Sequence, residues 1–201
     1  QRSVWQDVFS SEYTPLQPVR SVIGGSTRPF HAPWLGAGDG WKIDGRISYE
    51  YSGPGPATLA WDNQTKLEGE QPYWPVTDYC FYNDTQRNNA QHIAYSVSDV
   101  NMRCGIEPAS GPIDATAIVR ARSYEFRAEI RGTAVTLKMA PLGVLDGMAA
   151  APEPMQWTQI GTGTLPHAIT PGRVTDLEFW HADQALSLWC DGTLIARGDY
   201  D

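Results

Sequence analysis

Glu125 and Glu129 stand two pleats apart in the run Tyr124-Glu-Phe-Arg-Ala-Glu-Ile130. Paired carboxylates on one strand face are what a glycosidase uses as acid and nucleophile. Arg127 lies between them, however, and Arg131 follows. A guanidinium beside each carboxylate holds it ionised, so the run reads as a solvated, charge-paired face and not as an acid catalyst. The four histidines, His31, His92, His167 and His181, are isolated in sequence, and no local pattern joins them to a Ser–His–Asp set or a metal site. Gly-x-Ser-x-Gly, His-Glu-x-x-His and phosphate-loop patterns do not occur. The three cysteines, Cys80, Cys104 and Cys190, lack metal-ligand spacing. They read as small buried strand residues, with a Cys80–Cys104 disulfide as the alternative. The expectation is therefore no catalytic residue, no metal and no cofactor in this chain.

Aromatic residues offer a different chemistry. Eight tryptophans and nine tyrosines suit carbohydrate binding, because a sugar ring stacks on an exposed aromatic face. Trp61, Trp74 and Trp157 are the candidate platform, each readable as core or rim. Trp180 and Trp189 fall in adjacent predicted strands, where cross-strand packing accounts for them. The sequons at Asn63 and Asn83 carry no weight without a known compartment.

The elements that would position these side chains are strands. Glycine (19) and proline (15) are frequent, which suits many short strands joined by turns. Val174–Arg197 reads as three consecutive antiparallel strands, with a polar turn at His181-Ala-Asp-Gln184 and a hairpin turn at Asp191-Gly192. Asp-Gly supplies the positive φ that a two-residue hairpin requires. Upstream, Ala115, Ala117, Val119 and Ala121 alternate with Thr116, Ile118 and Arg120, the period of a half-buried strand. Tyr124–Ile130 and Ala134–Met139 flank Arg131-Gly-Thr133 as a further hairpin, and Met155–Ile160 is another strand. Residues 143–154 read as a loop. Weaker strand signals occur at Val4–Phe9, Arg46–Tyr51, Ala57–Trp61 and Val76–Tyr82, and His92–Ile106 reads as one bent strand or two short ones. Residues 1–45, broken by Pro15, Pro18, Pro29 and Pro33, form an irregular wrap, and residues 46–201 form the sandwich domain. The fold class is all-β, an antiparallel β-sandwich.

A net charge of −8 excludes general nucleic-acid binding and adhesion to anionic membrane surfaces, both of which need a basic face. No run of 18 apolar residues is present to cross a membrane as a helix. The abrupt ends read as those of a piece cut from a longer protein.

The blocks Asp7–Tyr13, Gly40-Trp-Lys42 with Gly45–Tyr49, Val76–Asn83 and Leu177–Gly192 carry a resemblance. In order and wording they are similar to the region inserted in enlarged type I signal peptidases of planctomycete bacteria. The final hairpin also resembles concanavalin-like and laminin-G-like jelly rolls. The peptidase resemblance implies an extracytoplasmic module of a membrane-anchored protein, meeting a protein or glycan partner. The family's Ser-Met-x-Pro, catalytic lysine and Gly-Asp-Asn-Ser boxes are missing from this chain. Lys42, Lys66 and Lys138 all stand in polar contexts, so no catalytic role is carried over.

Overall fold

Alternating apolar residues and positive-φ turns build the second half of the chain. In the computed structural model, residues 10, 20–23, 26–29, 33–43, 48–62, 77–78, 95–145, 148–150 and 155–201 are described. Two compact units emerge, Gln1–Tyr95 and Ser96–Asp201. The boundary expected at 45/46 lies outside the described residues.

The second unit holds eight main strands: β1 (Val100–Ile106), β2 (Ala115–Ala121), β3 (Tyr124–Arg131), β4 (Ala134–Pro141), β5 (Thr158–Thr164), β6 (Thr175–Ala182), β7 (Ala185–Cys190) and β8 (Thr193–Asp199). They form two four-stranded antiparallel sheets, ordered β2-β3-β4-β5 and β8-β7-β6-β1. Phe126, Ile130 and Leu137 from the first sheet meet Phe179, Leu186 and Leu188 from the second in one core. This is a β-sandwich, and the described residues contain no helix.

Three tight turns take the conformations expected of two-residue hairpins. Arg122 and Ser123 (φ 51° and 64°), Asp183 and Gln184 (51° and 58°), and Asp191 and Gly192 (48° and 78°) all lie in the left-handed region. That turn hand matches the twist of the strands it joins. The turn expected at His181–Gln184 is narrower than its sequence suggests. His181 and Ala182 extend β6, pairing with Leu186 and Ala185, so only Asp183-Gln184 turns.

Where β5 meets β8 the two sheets approach backbone to backbone. A Cβ on Gly161, Gly163 or Gly198 would stand 2.7, 2.2 or 2.4 Å from the carbonyl oxygens of Arg197, Ile195 and Ile160 respectively. Only glycine permits this contact. It explains why β5 runs on through Gly161-Thr-Gly-Thr164, sharing Thr158–Ile160 with the expected strand Met155–Ile160. Residues 143–154, expected as a loop, include a small hairpin of Gly143–Leu145 against Met148–Ala150.

In the first unit, short antiparallel ribbons pair Arg20–Ile23 with Ser26–Pro29, Trp34–Ala37 with Thr58–Trp61, and Trp41–Ile43 with Tyr49–Tyr51. Part of the segment expected to be irregular is thus extended and paired. Aromatic contacts pin it: Trp41 and Tyr51 have centroids 5.2 Å apart, and Gly36 leaves room for the Trp41 ring. The strand expected at Val4–Phe9 lies outside the described residues. Of Val76–Tyr82, Thr77–Asp78 is described as strand, and His92–Ile106 divides into Tyr95–Ser96 and β1.

Candidate functional site

Strand alternation puts Ile118, Arg120, Glu125, Arg127, Glu129 and Lys138 on the face of the β2–β5 sheet that points away from the core. Register places Arg120 opposite Glu125 and Arg127 opposite Lys138. Glu125 accepts from Arg120 Nε at 2.8 Å and from Arg127 Nε at 2.7 Å, one guanidinium to each carboxylate oxygen. Lys138 pairs with Glu129 at 2.7 Å. A bulge between Leu137 and Lys138 resets the β4–β5 register, and Trp157 lies just before β5. The Arg127 guanidinium lies 4.3 Å from the centre of the Trp157 ring, and the Lys138 ammonium lies 5.9 Å from it. Both fall within reach of the indole's negative face.

The expected charge pairing is present and Arg120 is solvated, but the carboxylate at its centre is not. Glu125 is only 1% exposed, because the two arginines fold over it. Burial pushes its carboxyl up, but hydrogen bonds and positive charge from Arg120 and Arg127 outweigh this and hold it below the ordinary range. A carboxyl so held stays ionised near neutrality and cannot serve there as a general acid. Three cations (Arg120, Arg127, Lys138) meet two carboxylates (Glu125, Glu129) here, a positive surplus on a chain of net charge −8. Ile118 stands 45% exposed on the same face.

Trp61 and Trp74 are the other candidate tryptophans. Trp61, in the first unit, packs edge-to-face on Trp34 at 5.3 Å and 87°. Trp74 lies outside the described residues. Trp180 and Trp189 stack at 5.4 Å across β6 and β7, so cross-strand packing accounts for them as expected.

The histidines divide sharply. His181 is fully buried and packs 4.5 Å from the Phe126 ring. Its Nδ1–H donates to the Ser98 carbonyl, and its Nε2 accepts from the Tyr200 hydroxyl at 2.6 Å. Burial holds its pKa below the ordinary value, against the opposing pull of the Ser98 carbonyl and Asp99. Both ring nitrogens are therefore committed to structure. His167 instead lies partly exposed, its Nε2 3.2 Å from Asp191 Oδ2. Cys190 completes a group whose ligand atoms lie within 4.8 Å of one another. Cys–Cys spacing could not reveal this mixed set, because it joins residues from separate elements. Its sequence signal is the adjacent Cys190-Asp191 pair opening a hairpin turn. Cys104 and Cys190 are free thiols. Cys80, His31, His92 and both sequons lie outside the described residues.

No family model, curated protein or solved structure gives a significant match to this chain.

Proposed function

We propose that this chain is a non-catalytic recognition module, a concanavalin- or laminin-G-like sandwich on the extracytoplasmic side of a signal peptidase-like bacterial membrane protein. The observation that carries the recognition part is Trp157, an indole set among Arg127 and Lys138 on an outward sheet face. Each of these cations is tied down by a glutamate, so the aromatic ridge is preorganised and loses little side-chain entropy on binding. Its positive surplus favours an anionic partner, such as an acidic protein segment. The parentage and location rest on the sequence blocks alone, of which Leu177–Gly192 spans the β6–β7 hairpin.

The same indole favours a second reading, a carbohydrate-binding module, because a pyranose ring stacks on an aromatic face while arginine and lysine donate to its oxygens. A polyglutamate peptide, and an array of neutral and uronic-acid oligosaccharides, test the two readings together. Peptide binding lost in Trp157→Ala supports the first, and array binding lost in Trp157→Ala supports the second. Binding to neither removes the platform as a recognition site. The parentage has its own test in the coding sequence on both sides. Ser-Met-x-Pro and lysine boxes before the chain, with Gly-Asp-Asn-Ser after it, are expected, and flanks without them overturn it.

A further inference from the structure

We propose that His167, Cys190 and Asp191 form a binding site for a thiophilic divalent cation of the Zn2+ class, using Nε2, Sγ and Oδ2. The site lies at the end of the second sheet, where β7 enters the Asp191-Gly192 turn. The segment bearing His167 is held there by the bridge between Ile169 and Ile113.

His167 and Asp191 stand at the spacing of two ligands of one ion, with Cys190 close by. His167 Nε2 and Asp191 Oδ2 are 3.2 Å apart, and all three ligand atoms lie within 4.8 Å of one another. Zinc bonds of about 2.0–2.1 Å to nitrogen and oxygen separate two tetrahedral ligands by about 3.3 Å. The groups around the ligands also orient them. His167 Nδ1 lies 3.1 Å from the Ala168 carbonyl, which can only accept. The ionised Asp191 Oδ2 at Nε2 also only accepts, so a metal must displace the proton that Nε2 shares with Asp191, after which Nδ1–H to the carbonyl fixes the ring. Asp191 Oδ1 accepts from the Asp176 amide at 3.1 Å, which turns Oδ2 toward His167. That amide and the Arg173 guanidinium beside Oδ2 favour the carboxylate form that a metal needs.

Two groups oppose binding, and each yields a prediction. The Arg173 guanidinium sits 2.6 Å from Asp191 Oδ2 and supplies the positive charge there. Its side chain is 55% exposed and free to swing into solvent when a metal takes that place. The Cys190 thiol is buried and must give up its proton to bind a metal. Binding therefore transfers the thiol proton to solvent as the sulfur–metal bond forms, and affinity rises with pH. Three protein ligands leave a fourth tetrahedral position for water or an exogenous donor. The combination of sulfur, imidazole and carboxylate selects zinc or cobalt over magnesium or calcium.

The test is titration of the metal-free, reduced full chain with Co2+. The expected result is one equivalent bound, with a thiolate-to-cobalt charge-transfer band and tetrahedral d–d absorption. Cys190→Ser should abolish the band, while a Cys80→Ser/Cys104→Ser variant should keep it. His167→Ala changes only a partly exposed side chain, and it should weaken binding about tenfold or more. Arg173→Ala should tighten binding by removing the competing cation. No charge-transfer band in the native chain overturns the site. So does a band that survives Cys190→Ser, or one indifferent to His167→Ala.

Discussion

The surroundings of His181 and His167 place the same side chain under opposite constraints. His181 is sealed in the sandwich interior, with a carbonyl on one nitrogen and a phenol on the other. His167 stands at a hairpin end beside an ionised carboxylate and a buried thiol, with its Nε2 open to more than one partner. Ring chemistry does not decide which histidine is structural. The decision comes from whether both nitrogens are consumed by groups that cannot leave.

Replacing both histidines by alanine should separate the two regions most strongly. His181→Ala opens a cavity against Phe126 and leaves the Ser98 carbonyl and Tyr200 hydroxyl without their partner. The expected loss is about 3 kcal/mol, from the cavity together with the unmade hydrogen bonds. Denaturant unfolding monitored by tryptophan fluorescence measures it. A loss no larger than that of His167→Ala would mean the interior contact is not structural.

Glu125 extends the comparison to carboxylates. Like His181 it is buried and doubly engaged, whereas Asp191 is shared at a surface turn. Glu125→Ala leaves Arg120 and Arg127 facing each other without their counter-charge and should cost about 2 kcal/mol. Both arginines retain solvent access, which keeps this below the cost of stranding a fully buried ion. A cost under about 0.5 kcal/mol, the scale of ordinary surface changes, would show that the pairing is incidental.

Acid should resolve the two buried groups in sequence. The folded pKa of His181 lies below its ordinary value of 6.5, so the unfolded chain binds the extra proton first. Its contribution is fully present above pH 6.5 and is lost as pH falls through the lower, folded pKa. The folded pKa of Glu125 lies below its ordinary 4.5, so its contribution survives to about pH 4.5 and is lost below that. Urea midpoints recorded from pH 8 to pH 3 should fall in two stages. In His181→Gln the upper stage should disappear. A variant that keeps that stage would assign it to another group.

Much of this framework is legible in the sequence, and the gaps have physical causes. Asp191-Gly192 announces its hairpin because few residues tolerate two successive positive φ angles. Ala115–Ala121 announces its strand through the period-two pattern of a face half in the core. Gly161 and Gly163 mislead, since glycine weakens a strand in isolation. Their purpose is set by carbonyls of a strand more than 30 residues away. Glu125 reads correctly as paired, but its burial depends on Arg120 reaching across from β2, which strand alternation does not specify. Trp157 is visible as a candidate, though its cations come from β3 and β4. The His167–Cys190–Asp191 group is the least legible, because its geometry exists only once the Ile113–Ile169 bridge and the last hairpin have formed.

The smallest expected effect tests the other half of the comparison. Without metal, His167→Ala removes one contact to a carboxylate that also binds Arg173 and the Asp176 amide. Asp191 therefore remains satisfied, and partly exposed ion pairs contribute little in any case. Stability in a chelating buffer should change by no more than about 0.5 kcal/mol. With excess Zn2+ the native chain should gain stability by mass action, and His167→Ala should gain much less. A large loss in chelating buffer would make His167 a structural residue like His181. An equal zinc gain in both proteins would place the metal elsewhere. The chelator outcome reads Nε2 as a bare contact to Asp191 and the zinc outcome reads it as a metal ligand, so one pair of melting curves separates the two roles.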